Sequence, residues 1–328
     1  MEIPDIFINN VGRLRSGWRF LVFVAAYVLA LTVFGGALAV AVGLVWGAAG
    51  ADFLQQSSWG FIAQAVVLFA SAALVGWGCN RFLEGLPWRA LGWALHAGWL
   101  RDWLKGTLLG ALTLLLAAGV ATFAGGLRFA FTAGAMPGAA VRTVVVSGLV
   151  FIFAAAAEEI MFRGYPLQTM ARARLGWVGL LLTSVPFALV HLFNPNNVQP
   201  GLSFLNTALA GIWLGAAYLR TRSLWLPLGV HWSWNWMMGA VLGLPVSGIE
   251  KLTPAPLFRS LHVGPAWLTG GAYGLEGGVA CTLALLVSTI FIWRTRLFRA
   301  DPQMKRLTDE ENPVSKEGVS LTDAADEA

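Results

Sequence analysis

Eight apolar runs, each near the roughly 20 residues a membrane-spanning helix needs, divide the chain. They lie at about Phe20 to Trp46, Trp59 to Gly78, Leu104 to Ala124, Thr143 to Phe162, Trp177 to Phe193, Leu202 to Leu219, Leu224 to Leu244 and Ala272 to Trp293. Short polar or basic stretches separate them. The pattern predicts an all-α polytopic membrane protein with about eight transmembrane helices. The first run is longer than the core of a cleavable signal peptide and follows Arg13, Arg15 and Arg19, so it is expected to stay as the first span.

The basic residues orient the spans. With both termini cytoplasmic, 18 of the 22 Lys and Arg residues fall on the inner side, leaving only Arg128, Arg142, Lys251 and Arg259 outside. Cytoplasmic loops of membrane proteins carry this excess; an odd number of spans would scramble it. The resulting organisation has a cytoplasmic segment at 1–19, a three-span region at 20–142, a core at 143–244, an outer loop and last span at 245–298, and a polar tail at 299–328 expected to be disordered in the cytoplasm.

Composition agrees: 57% of residues are hydrophobic and only 12% charged, with 16 tryptophans. The net charge of +5 reads as membrane topology and contact with anionic headgroups, not nucleic-acid binding. Cys79 and Cys281 have no CxxC spacing and read as small apolar residues. Tryptophans alternating with basic residues predict an interfacial amphipathic helix at about 86–103, with His96 near the surface. The outer loops 125–137 and 248–271, the latter containing His262, read as irregular caps, and Asn194 to Gln199 as an ordinary turn. Gly36, Gly43, Gly110 and Gly119 suit close helix packing.

Ionisable residues away from span edges occur only in the fourth, fifth and seventh spans. The fourth has Glu158 and Glu159 with Arg163, the fifth ends Phe187-Ala-Leu-Val-His191, and the seventh contains His231-Trp-Ser-Trp-Asn235. Charge inside a bilayer costs about 2.5–3.5 kcal/mol per residue on insertion scales and marks a functional-site candidate. Residues four apart share a helix face, so Glu159 can pair with Arg163, Phe187 lies under His191, and His231 projects with Asn235. Glu158, about 100° round the helix from its neighbour, is left to face a cavity with the histidines. Trp232, Trp234 and Trp236 read as packing or interfacial anchors. One mismatch stands: counted from the basic boundary, His231 is about 10 Å deep and His191 about 22 Å at 1.5 Å per residue, unless Pro186 or Pro227 bends its helix.

A carboxylate that activates water, imidazoles that assist it, and amide or imidazole N–H groups that stabilise an oxyanion suffice for peptide hydrolysis. The same acids and histidines could instead serve a proton-coupled transporter. Glu158, His191 and His231 could also form a two-histidine, one-carboxylate site for a divalent metal such as Zn2+, although no HExxH is present.

Glu158-Glu-Ile-Met-Phe-Arg163, Phe187 to His191 and His231 to Asn235 resemble, in order on successive helices, the three motifs of the CPBP family: the type II CAAX-prenyl proteases and their bacterial relatives linked to bacteriocin immunity and maturation. The resemblance covers roughly Val144 to Leu244 and implies an intramembrane endopeptidase cutting near the cytoplasmic face, metal-dependent or glutamate-type. It implies that Glu158 activates water, His191 assists, His231 and Asn235 form an oxyanion hole, and Glu159 and Arg163 are structural or substrate-orienting. It also implies a peptide or membrane-protein substrate, a bacterial inner (plasma) membrane setting, and, as a further alternative, a non-catalytic immunity or scaffold protein of the same fold.

Overall fold

In the computed structural model, which describes residues 4–9 and 12–308, each apolar run becomes one helix. These are α1 (Ser16–Trp46), α2 (Ser58–Cys79), α3 (Trp99–Phe123), α4 (Pro137–Glu159), α5 (Gly176–His191), α6 (Pro200–Thr221), α7 (Trp225–Trp236) and α8 (Val279–Arg294). With their extensions, α1, α2, α3, α4 and α6 are long and apolar enough to cross a membrane by length and composition; α5 and α8 are apolar but shorter. The protein is an all-α polytopic membrane protein. The helix α7 is also short, and a π turn at Met237–Val241 extends it.

The fourth span runs further than its apolar residues suggest. Behind Glu159 the chain opens into a π turn, Ile160–Gly164, and resumes as helix over Tyr165–Arg172. Pro166 has no N–H to donate to the preceding turn, and such wide turns are frequent at functional sites. The whole element reaches from Pro137 to Arg172, so the paired glutamates lie well inside it.

The closest helix pair is α3 with α7, and glycine is the reason. A Cβ at Gly106, Gly110 or Gly229 would come 2.2 Å from the carbonyl oxygen of Leu226, Val230 or Trp103 respectively. Backbone therefore meets backbone, as small residues permit in membrane helix pairs. Of the glycines expected to pack, Gly110 does. A Cβ at Gly36, Gly43 or Gly119 would meet nothing within 4 Å, so these three play no such part.

At the end of the bundle carrying the basic loops, the segment expected as an amphipathic helix at 86–103 is not one. It contains a single 3-10 turn, Trp88–Leu91, then Gly92 in a left-handed conformation, and α3 begins at Trp99. The segment folds inward: Ala90, Leu91, Ala94 and His96 are buried. Gly92 O accepts a hydrogen bond from Leu224 N, and Ala94 O accepts one from Trp225 Nε1. His96 is therefore a buried residue packed on the α6–α7 turn, 3.3 Å from the Ser223 hydroxyl, and not interfacial. Nearby, buried Glu84 pairs with Arg19 at 3.4 Å and Arg172 at 3.1 Å and accepts a hydrogen bond from Thr169 at 2.5 Å, tying α1, α2 and the α4 extension. Of the tail expected to be disordered from 299, Pro302–Thr308 is helical, with Met304 and Thr308 buried, and 309–328 lie outside the described residues.

At the opposite end the outer loops are not wholly irregular. Strands β1 (Leu127–Phe131) and β2 (Phe258–His262) pair antiparallel, with Leu127 opposite His262. The strand pairing gives both loops an edge on which backbone groups satisfy one another.

The glycine seat yields a paired test. Gly110→Val should destabilise the purified protein by about 1–3 kcal/mol through overpacking, whereas Gly119→Val, facing open space, should stay within about 0.5 kcal/mol. Unfolding in detergent followed by tryptophan fluorescence measures both; equal effects would refute the backbone contact.

Candidate active site

The two glutamates occupy different surroundings because consecutive helical positions diverge. Glu159 is fully buried. Its Oε1 accepts from Arg163 Nη1 at 3.1 Å and lies 2.8 Å from His231 Nδ1. Arg163 is equally buried; its Nη2 donates to Gly211 O at 3.3 Å, and its guanidinium lies 4.7 Å from the Phe187 ring centre. Glu158 is partly exposed, with Oε2 3.6 Å from His231 Nε2. His231 thus spans both acids, one through each ring nitrogen.

On α5, His191 is the last helical residue and its Nδ1 lies 2.7 Å from Phe187 O. A carbonyl only accepts, so Nδ1 carries a hydrogen and Nε2 is the nitrogen left for the cavity. The Phe187 ring sits between the histidines, 4.5 Å from His191 and 6.3 Å from His231 by ring centres. Phe187 is therefore a wall shared by both imidazoles and by Arg163.

A cavity of about 400 Å3 gathers Glu158, Phe187, His191, His231 and Asn235 on its lining. Glu159 and Arg163 stand behind it. The expected depth mismatch between the histidines disappears for a local reason. The apolar pattern puts the α6–α7 turn at the membrane boundary, but Thr221, Ser223 and Leu224 are fully buried beneath the 86–98 segment. Helix α7 starts inside the protein, which lifts His231 toward His191.

The cavity's lining comes from Phe61 to Leu68 near the start of α2, the last turn of α5, Asn206 to Leu214 in the first half of α6, and Cys281 and Leu285 near the start of α8. Those ends all lie away from the basic loops.

Several lining residues carry no mark in the apolar pattern. Glu276 accepts from Trp234 Nε1 at 3.1 Å and from the backbone N and hydroxyl of Ser247 at 2.8 and 2.6 Å. Asn206 donates to the carbonyls of Glu276 and Gly278 at 2.8 and 2.9 Å. Asn194, expected in an ordinary turn, also lines the cavity, as does Trp234. Trp232 and Trp236 do pack as anchors, donating to Gly148 O and Val144 O. Asn206 is detectable as a polar residue in the middle of an apolar run; Glu276, at the edge of its span, has no such signal.

Both histidines are bonded through Nδ1, His231 to Glu159 and His191 to a carbonyl, the arrangement that leaves Nε2 of each as the nitrogen turned to chemistry. Among the described residues no three His, Cys, Asp or Glu side chains stand close enough together to form a group able to hold a metal ion.

The helical bundle gathers acids and histidines around an internal cavity. Residues 140–237, just under a third of the chain, match the family model described as Rce1-like, Type II CAAX prenyl endopeptidase Rce1-like. The chain is an integral multi-pass membrane protein, and this segment of it is similar to that endopeptidase family. No curated protein and no solved structure matches the chain.

The unequal surroundings of the glutamates predict unequal variants. Glu159→Gln leaves Arg163 buried without its counter-charge and should cost about 3–5 kcal/mol of stability. Glu158→Gln should change the unfolding midpoint little. Thermal unfolding of both purified variants decides, and a larger loss for Glu158→Gln would reverse the assignment.

Proposed function

We propose that the protein is a glutamate-type intramembrane endopeptidase in which Glu158 is the general base. The observation that carries this reading is the convergence of Glu158, His191, His231 and Asn235 on one cavity. Water held between Glu158 and the Nε2 of His191 loses a proton to Glu158 as its oxygen attacks the substrate carbonyl carbon. The developing oxyanion is met by the Asn235 amide and by His231 Nε2–H, donors worth about 3–4 kcal/mol each where such holes have been dissected. The C–N bond then breaks as protonated Glu158 returns the proton to the leaving amine.

Glu159 fits a supporting role in this scheme. By accepting from His231 Nδ1–H it fixes the ring and stabilises the imidazolium, as the buried acid does in a serine-protease triad; the Nε2–H of that imidazolium is the oxyanion donor. With His231 protonated, Glu158, Glu159, Arg163 and His231 together carry no net charge, which suits a low-dielectric interior. Arg163 holds Glu159 in turn. Cleavage would occur at mid-bilayer depth, with both termini on the basic, cytoplasmic side of a bacterial inner membrane.

The family match and the grouping of polar residues around one cavity support hydrolysis over proton-coupled transport.

Cleavage of a membrane-peptide library by detergent-purified protein provides the test. Glu158→Gln should abolish cleavage, Asn235→Ala should lower kcat by about 10²–10³ with little change in KM, and a chelator should leave the rate unchanged. Activity retained in Glu158→Gln would remove the general base from the scheme; zinc-restored loss with chelator would replace it. A cysteine reporter placed at Ser247 should react with an impermeant reagent from the side opposite the termini.

A further inference from the structure

The active-site cavity carries a second polar group that the hydrolytic scheme does not use. Glu276, Ser247 and Asn206 are on its lining together with apolar residues such as Phe151 and Leu214. Trp234 Nε1 and the backbone N and hydroxyl of Ser247 all donate to the Glu276 carboxylate oxygens, the hydroxyl at 2.6 Å. Ser247 sits at φ +48°, a backbone region uncommon for a residue with a side chain, and both its donors reach the carboxylate from there. A strained residue that aims two donors at one acid is the kind of feature found at ligand clamps.

The acid is held but not exhausted. A carboxylate offers about four acceptor sites, and three donors are accounted for: two on Oε2 and one on Oε1. No lysine or arginine is among the residues lining the cavity, whereas two glutamates are. A cationic group entering with the substrate would find a fixed counter-charge at Glu276, and an anionic one would meet like charge at both glutamates.

We propose that Glu276 is a specificity-determining residue that selects peptides carrying a Lys or Arg side chain near the scissile bond. The inference rests on the endopeptidase reading above. Trp234 donates to Glu276 and lies one turn along α7 from His231, so Glu276 is close enough to the hydrolytic group for the cation to fall within about three residues of the cut, at about 3.3–3.6 Å per extended residue. The apolar residues of the lining are suited to the intervening side chains.

Binding and cleavage are measured separately to test it. Fluorescein-labelled apolar peptides of about ten residues, with Lys, norleucine or Glu placed in turn at each position, are titrated by anisotropy against purified Glu158→Gln protein, which binds without turnover. At one or two positions Lys should bind about tenfold more tightly than norleucine, a difference of about 1.4 kcal/mol, and Glu should bind more weakly than either. Adding Glu276→Gln should reduce the Lys preference to less than about twofold while leaving the norleucine peptides unchanged. Adding Ser247→Ala instead removes one donor but keeps the charge, and the Lys preference should survive.

No preference for Lys at any position, or equal weakening of all peptides by Glu276→Gln, would overturn the proposal. So would loss of the preference in Ser247→Ala, which would trace it to loop placement. A Lys preference abolished by Glu276→Gln, with no peptide cleaved by the unsubstituted protein, would uphold the recognition site and reject the endopeptidase reading.

Discussion

The site hangs on one buried carboxylate. Glu159 meets Arg163 from its own element and His231 from α7, while Arg163 reaches the Gly211 carbonyl of α6 and lies over Phe187 of α5. Four helices are thereby registered against one another through a single acid and its arginine. A buried ion pair is a weak source of net stability, because desolvation offsets much of the attraction, but breaking one is costly. Such a group penalises every arrangement that separates it from its partners. The side chain that does no chemistry in the proposed scheme therefore fixes where the reacting ones stand.

That arrangement needs α7 at the right height, which packing supplies. The α3–α7 seat is made by Gly106, Gly110 and Gly229, where one added carbon would collide with backbone. The 86–98 segment then covers the turn before α7 and supplies the carbonyls of Gly92 and Ala94 to Leu224 N and Trp225 Nε1. Backbone polar groups buried at a helix start must find partners, and this segment provides them. A short helix can thus begin inside the protein and still bring His231 level with His191.

What the sequence makes legible and what it hides follow from the range of the forces involved. The eight helices are visible because apolar length is local, and the split between Glu158 and Glu159 because helical periodicity is local. Joining His191 to His231 requires three motifs read together, since spacing along separate helices carries no depth. The inward fold of 86–98 is hidden: its Trp and Arg alternation suits an interfacial helix, while Gly85 and Gly92, both left-handed, permit the turns that bury Ala94 and His96. Glu276 is hidden for a related reason. At the edge of a span an acid is unremarkable by hydropathy, and only the tertiary approach of Trp234 and Ser247 gives it a role.

Hydrolysis inside a membrane also requires water to be stable where the bond is cut. An apolar cavity of this size stays dry, whereas buried water persists where about three polar partners are within reach. Glu158, His191 and Asn235 supply such partners on the cavity lining, as do Asn206, Ser247 and Glu276. The rest of the lining is largely apolar and includes Phe151 and Leu214, better suited to side chains than to solvent. One cavity thus offers polar groups for water and apolar surface for a substrate drawn from the bilayer, the two requirements that hydrolysis in a membrane has to meet together.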